Sequence, residues 1–109
     1  MRIHIVTVKP VRVTTAAAEL RVVVEWDGLA EGVDIRGRLV GPRCEGVSTV
    51  EVSYPLRPDG SAFRVVIPEP NMWSTAAPFR YDGRVEAWVG SERVDHHTFA
   101  VELRPAANG

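Results

Sequence analysis

Along most of the chain apolar and polar residues alternate one for one, the two-residue period of a strand with one face in a core and the other in water. Glu19 to Trp26 places Leu20, Val22, Val24 and Trp26 on one face, and Asp27-Gly28 predicts the turn that ends it. Val33 to Val40 repeats the pattern, with Val33, Ile35 and Leu39 inward and Asp34, Arg36 and Arg38 outward. Ahead of these, Ile3 to Val8 and Val11 to Thr14 predict an edge strand broken at Pro10, since proline has no N–H for a ladder. Gly41 to Gly46 reads as a loop, Val47 to Tyr54 as a strand with Val50, Val52 and Tyr54 on one side and Pro55 as its stop, and Pro58-Asp59-Gly60 as a turn. Phe63, Val65 and Ile67 then point inward. Phe79, Tyr81, Val85, Ala87 and Val89 share a face further on, and Gly90-Ser91 predicts a hairpin into Arg93 to Leu103, where Phe99, Val101 and Leu103 point in. No segment carries a helical period of useful length and none repeats. About seven short strands at these intervals predict an all-β fold, an immunoglobulin-like antiparallel sandwich of two sheets.

One stretch breaks the alternation. From Pro68 to Tyr81 the chain reads Pro-Glu-Pro-Asn-Met-Trp-Ser-Thr-Ala-Ala-Pro-Phe-Arg-Tyr. Pro68 and Pro70 end the strand finishing at Ile67, and Ser74 and Thr75, whose hydroxyls accept backbone N–H bonds, predict a tight turn that Pro78 closes. Two readings of Trp73 stand side by side: a plug over one end of the core, and a surface ring on which a ligand stacks. Tyr81, at the start of the next strand, is expected to act as a tyrosine corner, its hydroxyl bonding backbone near the crossing.

This stretch resembles a segment of the immunoglobulin-like β-sandwich domain of glycoside hydrolase family 2, the β-galactosidase, β-glucuronidase and β-mannosidase type. There a proline, an apolar residue, Trp-Ser-Pro and a few polar residues lead to Pro-x-Leu-Tyr. Pro70, Met72, Trp73, Ser74, Pro78 and Tyr81 match, whereas Thr75 stands where proline is common and Arg80 where leucine is common. The family's Phe-Gly-Ile/Val-Arg strand end is matched loosely by Phe99-Ala100-Val101. The likeness spans Lys9 to Arg104, with its specific part between Ile67 and Tyr81. It implies a non-catalytic spacer that braces a sugar-binding jelly roll against a catalytic (β/α)₈ barrel, these neighbouring domains being the expected partners; a second copy of the chain is the other partner considered. The alternatives are a free-standing adhesion or carbohydrate-binding sandwich and a plain structural module of a larger surface protein.

Composition agrees with one modest domain over 1–109, with 105–109 as a tail or the start of a linker: 109 residues carry a formal net charge of -1. Charges of both signs are scattered without a basic block, so no nucleic-acid partner is expected; nearly all the positive residues are arginine, which reads as coding bias. Cys44 is the single cysteine, which excludes an intrachain disulfide and a cysteine zinc cluster. Met1 to Ile5 lacks the apolar core of a secretory signal and nothing reaches bilayer-spanning length, so a soluble chain with no membrane partner is expected.

Candidate chemistry is sparse. Glycoside hydrolysis needs two carboxylates facing each other across a sugar. Asp34, Glu51, Glu86 and Asp95 instead alternate with apolar neighbours, as solvated strand faces do. His96 and His97 are adjacent on a strand and point to opposite faces, so they do not converge on one metal ion. Ser48, Ser53 and Ser74 lack a nucleophile motif, no glycine-rich phosphate loop leads into a helix, and no cofactor is expected. The strand count also puts Trp88 on the wet face, with two readings: it shields the sheet edge or lies under a loop, or Val40, Val94 and His96 of the neighbouring strands surround it as an apolar docking patch.

Overall fold

The alternating runs pair into two sheets in the computed structural model, which describes residues 2–27 and 32–104. The strands are β1 (Arg2–Val13), β2 (Ala17–Asp27), β3 (Val33–Arg43), β4 (Val52–Pro55), β5 (Arg57–Asp59), β6 (Ala62–Pro68), β7 (Arg80–Val89) and β8 (Glu92–Val101). One sheet has the order β1-β2-β6-β5 and the other β4-β3-β7-β8, every pairing antiparallel. This is the immunoglobulin-like order of a sandwich, with one extra edge strand beside β3. The expected turn at Asp27-Gly28 and the tail after Arg104 lie outside the described residues.

Period-two alternation decides what fills the space between the sheets. Leu20, Val22 and Val24 of β2 and Phe63, Val65 and Ile67 of β6 face Leu39 of β3 and Tyr81, Val85 and Ala87 of β7 in one buried cluster. Each such aliphatic side chain contributes about 1.5–3 kcal/mol when taken from water, so this layer dominates the stability of the domain. No charged or polar residue is buried among the described residues.

Several expectations about the strands are corrected. β1 is not broken at Pro10: Pro10 pairs with Leu20, and a bulge before Arg12 absorbs the irregularity. β1 has a neighbour on one side only, so the missing proline donor falls where no ladder needs it. β3 does not stop at Val40 but runs on to Arg43 through a bulge, and the tight Cys44–Val47 bridge, with Gly46 at φ +77°, replaces the longer loop. Gly41 is required there, because a Cβ would stand 2.7 Å from Cδ1 of Tyr81.

The run expected as a strand from Val47 to Tyr54 pairs only over β4, and Val50 is 85% exposed. Pro55 is where it ends, as expected, although Pro55 itself still pairs with Arg38. The Leu56 amide then donates to the Gly37 carbonyl at 2.9 Å and the chain changes sheets, so Arg57–Asp59 pairs with β6 and the turn shifts to Gly60, at φ +63°. Leu56 is buried against Gly37, whose missing Cβ leaves the place for it. In β7, finally, Val89 is exposed at the hairpin, while Gly83 takes an inward position between Tyr81 and Val85. The Phe99 ring lies over Gly83, and a Cβ there would come within 2.2 Å of its Cζ.

Candidate functional site

Two places on the sandwich hold side chains beyond those the core needs. The first is the crossing from β6 to β7. It leaves the ladder at Pro68, and Glu69 takes the left-handed region at φ +46° while its amide donates to the Ala16 carbonyl at 2.9 Å. Two residues on, the Asn71 amide donates to the Tyr81 hydroxyl at 2.9 Å, the tyrosine-corner contact. Tyr81 is almost fully buried and Tyr54 packs edge-on to it at 6.3 Å. Burial pushes its phenol above the ordinary value, and the Asn71 amide acts in the opposite sense.

Met72, next along, packs on the core cluster, and Trp73 does not. The plug expected at Trp73 is therefore Met72. A strand-like step reverses direction at each residue, so only one of two adjacent side chains reaches inward. Trp73 is held from outside: its amide donates to the Leu103 carbonyl at 2.7 Å, it bridges Pro78, and the Arg104 guanidinium lies 4.0 Å from its ring centroid. Ser74 makes the predicted turn, its Oγ accepting from the Ala77 amide at 3.0 Å. Pro70 is half-buried and Pro78 exposed. Pro70, Trp73, Ser74, Pro78 and Tyr81 thus belong to one internally bonded corner.

The second place is the outer face of the β4-β3-β7-β8 sheet. Its cross-strand rows follow from the register. Asp34 lies beside Trp88 and Arg93, Arg36 beside Glu86 and His96, Arg38 beside Arg84 and Thr98, and Val40 beside Asp82 and Ala100. The expected apolar patch is not assembled. Val40 stands six residues along β3 from the row of Trp88, roughly 20 Å at strand rise. Val94 sits in the bulge where β8 slips against Ala87 and Trp88, and His96 faces Glu86. Around Trp88 stand charges instead: the Arg36 guanidinium lies 4.9 Å from its ring centroid, and its Nε1 is buried without a hydrogen-bond partner.

Ion pairs lace this face. Arg84 and Arg93 each reach the Glu86 carboxylate at 3.0 Å, and Arg93, with further help from Arg84, holds its carboxyl below the ordinary range against the opposing effect of burial. Asp82 is taken by Arg43 at 2.7 Å and Arg80 at 3.2 Å, and Arg43 also chelates Glu51 at 2.8 Å, so its guanidinium is held still more firmly charged. Asp34 is bonded by Arg36. Asp82 and Glu86 are four residues apart on one strand, roughly 13 Å, beyond the separation at which two carboxyls act on one glycosidic bond. Among the described residues no group of three His, Cys, Asp or Glu side chains could hold a metal ion; His96 is on the outer face and His97 on the inner. No helix among the described residues is long and apolar enough to cross a membrane.

Alternation along the sequence puts Arg36, Arg38, Arg80 and Arg84 outward but does not show that Arg38 and Arg84 meet. The outward arginines on both runs were the available signal; the register that pairs them was not. Fold and faces together define an all-β immunoglobulin-like sandwich, closed at one end by a tyrosine corner and faced with arginine on one sheet. No protein-family model matches the chain, and no curated protein matches it.

Proposed function

We propose that this chain is a non-catalytic bracing module, the spacer sandwich of a larger glycoside hydrolase of the family 2 type. The observation that carries the reading is the crossing. Three of the residues that resemble the family segment hold the corner, with Tyr81 bonded to Asn71, Trp73 to Leu103 and Ser74 to Ala77, and a fourth, Met72, packs on the core. Such a corner stiffens the end of a sandwich, which is what a spacer between two domains requires. The carbohydrate-binding alternative needs aromatic rings aligned and open to a sugar, whereas Trp73 and Trp88 each carry an arginine over the ring.

Two measurements test the proposal. The purified chain is expected to release no chromophore from nitrophenyl galactosides, glucuronides or mannosides above a buffer blank; turnover abolished by substituting one Asp or Glu of this chain overturns it. The polypeptide isolated from its source is expected to have an intact mass large enough for a jelly roll and a barrel. A native mass equal to the 12.0 kDa of this chain overturns the spacer reading.

A further inference from the structure

At the centre of the arginine-faced sheet two like charges stand directly opposite each other. Arg38 of β3 and Arg84 of β7 are cross-strand partners, the arrangement that antiparallel sheets disfavour, with Cβ atoms about 5 Å apart. Elsewhere on this face the arginines have carboxylates: Arg36 has Asp34, Arg43 has Glu51 and Asp82, Arg80 has Asp82, and Arg84 and Arg93 share Glu86. Arg38 alone of these has no ion-pair partner among the described residues.

The surface beside this pair is hollow. A depression of about 550 Å³ is lined by Arg38, Arg43, Arg84, Asp82 and the small side chains of Thr98 and Ala100, and a second of about 270 Å³ by Arg36, Arg38, Arg84, Glu86 and Trp88. Arg38 and Arg84 belong to both. Each hollow is lined by three arginines and one carboxylate, and once the bonds to Asp34, Glu51 and Glu86 are counted the lining guanidinium left without an ion-pair partner in both is that of Arg38. Asp82 and Glu86 are each already bonded by two arginines and have little left to offer Arg38.

We propose that this hollow binds an oxyanion group, a phosphate, sulfate or carboxylate carried by a small molecule, with Arg38 as its principal ligand. A planar guanidinium donates two parallel N–H bonds to two oxygens of such a group. Arg84, directly opposite, supplies the second positive charge, and the Thr98 hydroxyl, next in the same row, adds a neutral donor. An anion seated between Arg38 and Arg84 turns their mutual repulsion into two attractions, which gives this like-charge pair a purpose that folding does not. Being on the outer sheet and not at the crossing, the site stands independently of the bracing role.

The test is a titration of isotope-labelled chain with sodium phosphate, sulfate, acetate and glucuronate, each at constant ionic strength made up with chloride, followed by amide chemical shifts. The expected result is saturable shifts at Arg38, Arg84, Thr98 and Ala100 with at least one of the four. The tightest of them tells an inorganic tetrahedral anion from a carboxylate or a sugar acid. Arg38→Gln is expected to weaken that binding about tenfold or more at an unchanged or higher thermal midpoint, while Arg12→Gln, on exposed β1, leaves it intact. Shifts that stay linear to roughly 50 mM with all four anions overturn the proposal, as do equal affinities of Arg38→Gln and the unaltered chain.

Discussion

At the scale of single residues the molecule depends on a few close fits. Tyr81→Phe removes the acceptor of the Asn71 amide and leaves that donor without its protein partner, so a loss of about 1 kcal/mol is expected in denaturant unfolding. Gly83→Ala forces the Phe99 ring to move and is expected to cost about 1–3 kcal/mol. Combining it with Phe99→Leu should recover part of that loss, and a double-mutant cycle measures the coupling. Trp73 has changed rank. A core plug would lose about 3–5 kcal/mol on truncation to alanine. A ring held from outside by Arg104 and its own backbone is expected to lose about 1–2 kcal/mol instead, whereas Met72→Ala, which opens the core, should lose about 2 kcal/mol or more.

At the scale of elements, two attachments hold the sheets in place. Leu56 marks the point where the chain leaves one sheet for the other, and its side chain fills the place above Gly37. Leu56→Ala is expected to destabilise by about 2–5 kcal/mol, checked by the midpoint of urea unfolding. On the opposite side, β1 and β8 are the free edges of the two sheets. There the Asp95 carboxylate of β8 accepts the Ile3 amide of β1 at 2.7 Å, and His4 of β1 bonds Asp27 of β2 at 2.7 Å. Both carboxyls lie below the ordinary range, Asp95 chiefly through the Ile3 amide and then that of His96, Asp27 chiefly through His4. A carboxyl depressed in the folded state contributes its stability above the unfolded value near 3.8 and loses it as the pH falls through the lower folded value. The thermal midpoint is therefore expected to drop on acidification below about pH 5, and Asp95→Asn to flatten that drop.

At the scale of the whole molecule, both sheets contribute to one buried cluster, so neither can open without exposing the other. Unfolding is expected to be a single cooperative transition. Tryptophan fluorescence, which reports Trp26, Trp73 and Trp88 at separate places, and far-ultraviolet circular dichroism should give coincident curves; separate transitions would show that the corner or an edge strand melts alone. The two faces also divide the work. On the outer face of the β4-β3-β7-β8 sheet arginines and acids are tied mostly along and across their own strands, and of the arginines on β3 and β7 Arg38 is the one without an ion-pair partner among the described residues.

How much of this was legible in the sequence differs from feature to feature. Alternation alone determined the all-β class, the inward sets of β2 and β6 and most of the inward set of β7, because a strand's two faces are a property of consecutive residues and need no partner. The tyrosine corner was legible for the same reason, Tyr81 and Asn71 being ten residues apart across one crossing. Whether Pro10 would break its strand depended on which side of it carried a neighbour, and that is a fact about edges. Gly37 and Gly83 gave no sign of the side chains that fill the space above them, since Leu56 and Phe99 come from distant parts of the chain. The choice between Met72 and Trp73 as plug turned on a single reversal of direction inside an irregular segment, where period two no longer applies. The arginine pair was decided by tertiary structure alone: sequence put Arg38 and Arg84 on the wet side of their strands, and only the register of β3 against β7, set by the shared core beneath them, brought the two charges face to face.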